Sequence, residues 1–164
     1  MKFNLVVTEK PSVAMSLSKV LGATSRQDGY YEGNGYLVSW CVGHLIQMAN
    51  PSVYDERYAK WKLEDLPIIP SRYKYEIVNT TKKQFNILKK LMNSKEIETV
   101  INACDAGREG ELIFRLVYEQ AKCSKDVKRL WISSMEDTAI KEGFKHLKDG
   151  KAYETPISIR PCQK

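Results

Sequence analysis

The feature that most restricts this chain is a recurring passage from strand through turn to helix in which the turn carries the charged residues. Phe3, Leu5, Val6 and Val7 make an apolar run of strand length that closes on Thr8-Glu9-Lys10. Pro11 suits the first turn of a helix, where a missing N–H costs nothing. Val13, Ala14, Leu17, Val20 and Leu21 then follow at helical spacing until Gly22 stops them. The passage recurs in the second half. Residues 97–103 read as an apolar strand, Cys104-Asp105-Ala106-Gly107-Arg108 as a polar turn, and 109–121 as a helix with Leu112, Ile113, Leu116 and Val117 inward. Residues 127–132 make another strand, and Ser133 with Glu136 has the spacing of a capping box before a helix using Ile140, Phe144 and Leu147. This alternation predicts an α/β domain with a central, mostly parallel sheet flanked by helices. Sheets of that kind hold ligands at the carboxyl ends of their strands.

The intervening stretch is less regular. Residues 30–42 read as a hairpin turning at Glu32-Gly33-Asn34-Gly35. Residues 51–70 are irregular and bounded by prolines, with Tyr54, Tyr58 and Trp61 expected as anchors and, together with Trp40, open to base stacking as an alternative. Tyr73, Tyr75 and Ile77 alternate with polar residues as a half-buried strand does. Thr80 or Thr81 is placed to cap a helix whose Phe85, Leu88, Leu91 and Met92 share one face, with Lys82, Lys83, Lys89 and Lys90 on its solvated side.

Composition narrows the class. The 164 residues are 43% hydrophobic and 28% charged, enough for one domain with a core of its own. No apolar run approaches the roughly 18 residues that span a bilayer, and the first residues are too short a stretch for a signal peptide, so the expectation is a cytoplasmic protein with no membrane partner. Cys41, Cys104, Cys123 and Cys162 form no C-x-x-C pair, and only His44 and His146 stand beside them, which points to buried reduced thiols rather than a zinc site. His146, near a helix end, reads as a surface residue. The net charge of +6 fits a polyanionic partner, a property shared by many basic domains.

Two turns hold the unusual chemistry. If the strands ending at Thr8 and Ala103 are parallel neighbours, Glu9 faces Asp105 and Glu109 across one cleft. Converging carboxylates raise each other's pKa unless a cation sits among them. Mg²⁺ fits, because it takes oxygen ligands through one or two carboxylates plus a phosphate. Gly107 and Gly110 allow close backbone approach, the helix starting there aims N–H groups at an anion, and Lys10 and Arg108 add positive charge. The same spacing also serves acids that merely favour the first turn of a helix. No G-x-x-x-x-G-K-[ST] loop is present, so no ATP is implied.

Glu9 after an apolar strand, with Asp105-Ala106-Gly107-Arg108-Glu109-Gly110-Glu111 after another, resembles the Toprim signature. Val7-Thr8-Glu9-Lys10-Pro11-Ser12, Val42-Gly43-His44-Leu45, Trp61-Lys62-Leu63-Glu64-Asp65-Leu66-Pro67 and Leu130-Trp131-Ile132-Ser133-Ser134 resemble segments of bacterial type IA DNA topoisomerases of the topoisomerase III kind. The matches define a Toprim domain over residues 1–153. Residues 154–164 are expected to be a loose tail, because Pro156 and Pro161 exclude the helix with which the family continues.

The resemblance implies a Toprim fold within an isomerase that relaxes or decatenates DNA by single-strand cleavage and religation, with Mg²⁺ and without ATP. It implies that Glu9 and Lys10 are catalytic, Lys10 touching the scissile phosphate. Glu9, Asp105 and Glu109 would be the metal ligands. His44 and Arg108 would contact DNA or phosphate, a structural role bonded to backbone remaining open for His44. Glu111 would support the motif, and Gly107 stands where many Toprim proteins place a second aspartate. The implied partners are a single-stranded DNA segment and the remaining topoisomerase domains. One of those carries the nucleophilic tyrosine, since none of the nine tyrosines here lies in that motif; this chain is therefore expected to be an inactive part of a longer enzyme. Two rival readings are a Toprim nuclease or primase and a non-catalytic, metal-responsive DNA-binding module.

Overall fold

The computed structural model describes residues 2–153, so the expected tail at 154–164 and Cys162 lie outside the described residues. Strand β1 (Phe3–Thr8) leads into helix α1 (Pro11–Leu21), followed by β2 (Ser25–Gln27), β3 (Tyr30–Gly33) and β4 (Tyr36–Trp40). β5 (Ile46–Met48) and β6 (Tyr75–Ile77) flank a stretch of short 3-10 turns, and α2 (Lys82–Met92) leads to β7 (Ile97–Asn102). Then come α3 (Arg108–Gln120), β8 (Asp126–Arg129), α4 (Asp137–Lys145) and β9 (Lys148–Asp149).

Seven strands form one sheet in the order β2-β3-β4-β1-β7-β8-β9. Its central four, β4, β1, β7 and β8, are mutually parallel, and the antiparallel pairs lie toward the edges. The predicted α/β architecture is therefore the one observed. Its reason is visible in the central strands, where Leu5, Val6 and Val7 of β1 and Val100 of β7 are wholly buried. A strand apolar on both sides needs cover on both faces. α2 and α3 cover one with Phe85, Leu88, Ile113 and Phe114, and α1 and α4 cover the other with Ala14, Leu17 and Ile140.

The predicted stops and turns are formed by backbone that only certain residues adopt. Gly22 ends α1 in the left-handed region at φ 77°. The β3–β4 hairpin turns through Asn34 and Gly35, both at positive φ (48° and 76°), as a two-residue turn between twisted strands requires. Asn34 Nδ2 also donates to the Leu21 carbonyl at 2.9 Å, tying the hairpin to the end of α1.

Several local expectations fail, each for an identifiable cause. Thr81 occupies the cap position of α2, yet its hydroxyl donates back to the Val78 carbonyl at 3.1 Å. The Ser133–Glu136 capping box does not form. The Ser134 hydroxyl instead accepts from Glu136 N–H at 3.2 Å, and α4 starts only at Asp137. The expected half-buried strand shortens to β6, which pairs with β5 in a separate two-stranded sheet and omits Tyr73. Among the expected anchors, Tyr54 holds its loop by accepting the Lys74 N–H at 2.6 Å, and Tyr58 lies under Arg57. Trp61 does not anchor. It is 77% exposed, as are Leu63 at 90% and Ile69 at 75%, in a stretch that belongs to neither sheet.

Cys41, Cys104 and Cys123 are buried and reduced, as expected. Hydrogen bonding to Cys41 and burial push the Cys104 thiol well above its ordinary pKa. Thiolate is the reactive form, so a raised pKa keeps Cys104 protonated and inert through neutral and mildly alkaline pH. In a Cys162→Ser chain, a chromogenic thiol reagent at pH 8 should titrate almost nothing in the native state and three thiols in denaturant. Rapid native labelling of Cys104 would contradict the packing described.

Candidate functional site

The site follows from the register of the two central strands. β1 and β7 run parallel with Val7 opposite Asn102, so the chain leaves both at the same edge, through Glu9 on one side and Asp105 on the other. The backbone there is held on both sides of β1. Ala103 N–H donates to the Val7 carbonyl at 2.8 Å, and Cys41 N–H to the Thr8 carbonyl at 2.7 Å. The buried Thr8 hydroxyl donates to the Lys10 carbonyl at 2.9 Å, shaping the turn that presents Glu9 and Lys10.

Two charged groups occupy this edge. Lys10 Nζ lies between two acids, 3.9 Å from Glu9 Oε1 and 3.7 Å from Asp105 Oδ2. The Glu9 side chain is only 12% exposed, whereas Asp105 and Lys10 are about half open to solvent. Contacts of this length on half-exposed groups stabilise the fold little; what they do is set the charge of the edge. The second group is His44, whose Nε2 sits 2.6 Å from Glu109 Oε1, both exposed. His44 is thus bonded to a carboxylate rather than to backbone. The structure brings Glu9, Lys10 and Asp105 together, and His44 with Glu109 beside them. Among the described residues, no three His, Cys, Asp or Glu side chains draw together into a metal cage. Arg108, at the start of α3, is exposed and makes no ion pair among the described residues.

The two glycines differ. A Cβ on Gly110 would lie 2.3 Å from the Asp105 carbonyl oxygen and 2.8 Å from its nitrogen, so only glycine lets α3 start this close to the Asp105 loop. Gly107 is extended, and a Cβ there meets nothing within 4 Å. The expectation that both glycines serve close approach holds only for Gly110.

The Asp105 loop is fixed from below by a buried ionic network. Glu111, 4% exposed, accepts from Arg115 Nε at 3.0 Å and from Asn102 Nδ2 at 2.8 Å. Its second oxygen also lies 3.0 Å from Arg129 Nε, an ion pair set off the hydrogen-bond axis. The Arg129 guanidinium, fully buried, donates to the carbonyls of Asn102, Cys104 and Leu130 at 2.7–3.1 Å and to that of Asp105 at 2.8 Å. Burial pulls the Arg129 pKa down and Glu111 pushes it back up. Arg115 went unread in the sequence, although its i, i+4 spacing from Glu111 was a signal for the pair. Arg129 and Asn102 were missed, although a charged residue inside a buried strand is a signal of such a network.

The sequence profile of the Toprim domain matches residues 4–135. The chain belongs to the Toprim domain family. Toprim chains similar to it include DNA topoisomerase 3 of Shouchella clausii, 50% identical over 155 residues, and that of Bacillus licheniformis, 47% identical over 154. Each alignment covers 94% of this chain, and the chain spans about 21% of the length of these relatives. The Toprim fold is shared with full-length topoisomerase I from Thermotoga maritima, at a TM-score of 0.58 and 22% identity, over 88% of this chain and 21% of that one.

Glu111→Gln should destabilise this Toprim domain by about 3–5 kcal/mol, because it leaves two buried guanidinium groups facing a neutral amide; urea unfolding followed by circular dichroism measures it. Gly110→Ala should cost about 2–3 kcal/mol through backbone overlap, whereas Gly107→Asp should leave the unfolding midpoint nearly unchanged. Equal effects at the two glycines would contradict the geometry of the loop.

Proposed function

We propose that this chain is the Toprim domain of a type IA DNA topoisomerase of the topoisomerase III kind, and that its Glu9–Lys10–Asp105 edge receives the scissile phosphate of a single DNA strand. The observation that carries the reading is Lys10 Nζ suspended between two carboxylates at the sheet edge. A lysine so placed has acids to leave and a phosphate to meet. The relatives described above, at 47–50% identity, favour a topoisomerase over a nuclease or primase.

The donor set fits Mg²⁺. Glu9 and Asp105, which share Lys10 at the edge, would supply the hard carboxylate oxygens it prefers, with Glu109 held by His44 beside them, and one or two carboxylates plus a phosphate are the usual complement. Open space at Gly107 leaves room for its waters. When bound, Mg²⁺ supplies positive charge to the non-bridging phosphate oxygens.

The chain's own residues account for the rest. In cleavage, a tyrosine oxygen from another domain forms a bond to phosphorus while the bond to the 3′ oxygen breaks, and that oxygen takes up a proton. The Glu9 carboxylate, largely shielded from solvent, takes the tyrosine's phenolic proton and hands it to the departing 3′ oxygen, while Lys10 holds a non-bridging oxygen. Religation reverses both transfers. The phosphodiester is exchanged rather than hydrolysed, so no ATP is consumed.

The 164-residue chain should bind Mg²⁺ with a Kd of about 1 mM, worth roughly 4 kcal/mol, and should leave supercoiled plasmid unrelaxed. Within a full-length topoisomerase 3 relative, the change equivalent to Asp105→Ala should abolish Mg²⁺-dependent relaxation while preserving the circular dichroism spectrum. Wild-type relaxation by that variant across a Mg²⁺ titration would overturn the assignment.

A further inference from the structure

Beside the charged edge, on the α1–α4 face of the sheet, lies a cavity of about 580 Å³ that shares Lys10 and Asp105 as part of its rim. Its size is within the roughly 300–1,000 Å³ usual for small-molecule sites. Val13 and Leu17 of α1, with Leu130, Ile132 and Met135 of the segment between β8 and α4, give it apolar lining, and the Ser133 hydroxyl supplies a polar group. An apolar slot with a few hydrogen-bonding groups, and an ammonium at its mouth, matches a flat heterocycle joined to an anion.

We propose that this cavity receives one unstacked nucleobase of the bound single strand, from a nucleotide next to the phosphate held by Lys10. The inference rests on the phosphate reading above and deepens it by naming where the neighbouring base goes. Protein sites take splayed-out bases between apolar side chains and hydrogen-bond their edges. Because Lys10 belongs both to the charged edge and to the cavity rim, a phosphate at its Nζ leaves an attached nucleotide within reach of the opening. Base insertion would pin the strand's register at the phosphate without requiring a particular sequence, since apolar walls accept any base face.

The test compares two oligonucleotides of equal length and charge, oligo-dT and a tetrahydrofuran abasic strand, by fluorescence anisotropy with the 164-residue chain at low salt. The expected result is tighter binding of oligo-dT by about fivefold or more, from the apolar surface that one base buries in the slot. Val13→Phe, which fills the slot, should bring oligo-dT down to the abasic level and leave abasic binding unchanged, while Lys10→Ala should weaken both strands. Methyl NMR of Leu130 and Ile132 in the unsubstituted chain gives a second reading should Val13→Phe unfold, with shifts expected on adding oligo-dT and not the abasic strand. Equal binding of the two strands, or oligo-dT binding by a folded Val13→Phe chain at full strength, would overturn the base site alone. Failure of Lys10→Ala to weaken either strand, or no binding of either by the unsubstituted chain, would overturn the phosphate reading beneath it.

Discussion

The structure depends on one buried carboxylate. Glu111 sits at the start of α3 with Arg115, Asn102 and Arg129 directed at it, and each partner belongs to a part of the fold that must be placed relative to the others. Arg115 reaches on to the Gly150 carbonyl, and Arg129 gathers the carbonyls of Asn102, Cys104 and Asp105 at and beyond the end of β7. A buried carbonyl left unsatisfied would cost more than the hydrogen bond returns. A buried ion pair is seldom a source of net stability. Here it specifies a path, the one that carries the backbone from Asn102 through Asp105 into α3.

That path explains why the edge of the sheet, and not its interior, carries the charges. The carboxyl-terminal halves of β1 and β7, from Leu5 and from Val100 onward, are buried, so the next positions at which these strands can expose polar side chains lie beyond their carboxyl ends. Glu9 and Asp105 emerge there from adjacent strands. Gly110 brings α3 against the backbone of the loop that holds Asp105, which sets Glu109 opposite His44. The result is two neighbouring contacts at the edge, Lys10 among the acids and His44 Nε2 on Glu109.

The apolar features outside the core divide in the same way. The cavity between α1 and the β8–α4 segment is continuous with the Lys10 rim and so belongs with the chemistry of the edge. The segment from Trp61 to Ile69, around a single 3-10 turn at Leu63–Asp65, carries its largest side chains in solvent.

The sequence by itself determined the alternating elements, the parallel centre of the sheet and the two acid-bearing turns. These rest on periodicity, on Gly22 and the Asn34–Gly35 turn, and on apolar runs too short to be anything but strands, all local in origin. Helix starts were less legible, since Ser133, Ser134 and Thr81 each have more than one backbone group within reach and local order does not choose among them. Trp61 was misjudged because burial depends on neighbours far away in sequence. Only the tertiary structure decided that Arg129 would close over the Asp105 loop, that Gly110 and not Gly107 would be sterically required, and that His44 would meet Glu109 across 65 positions of chain. Such contacts join residues that share no local pattern. They exist because parallel strands bring distant turns to one edge, and the low dielectric beneath that edge tolerates only charges that find partners.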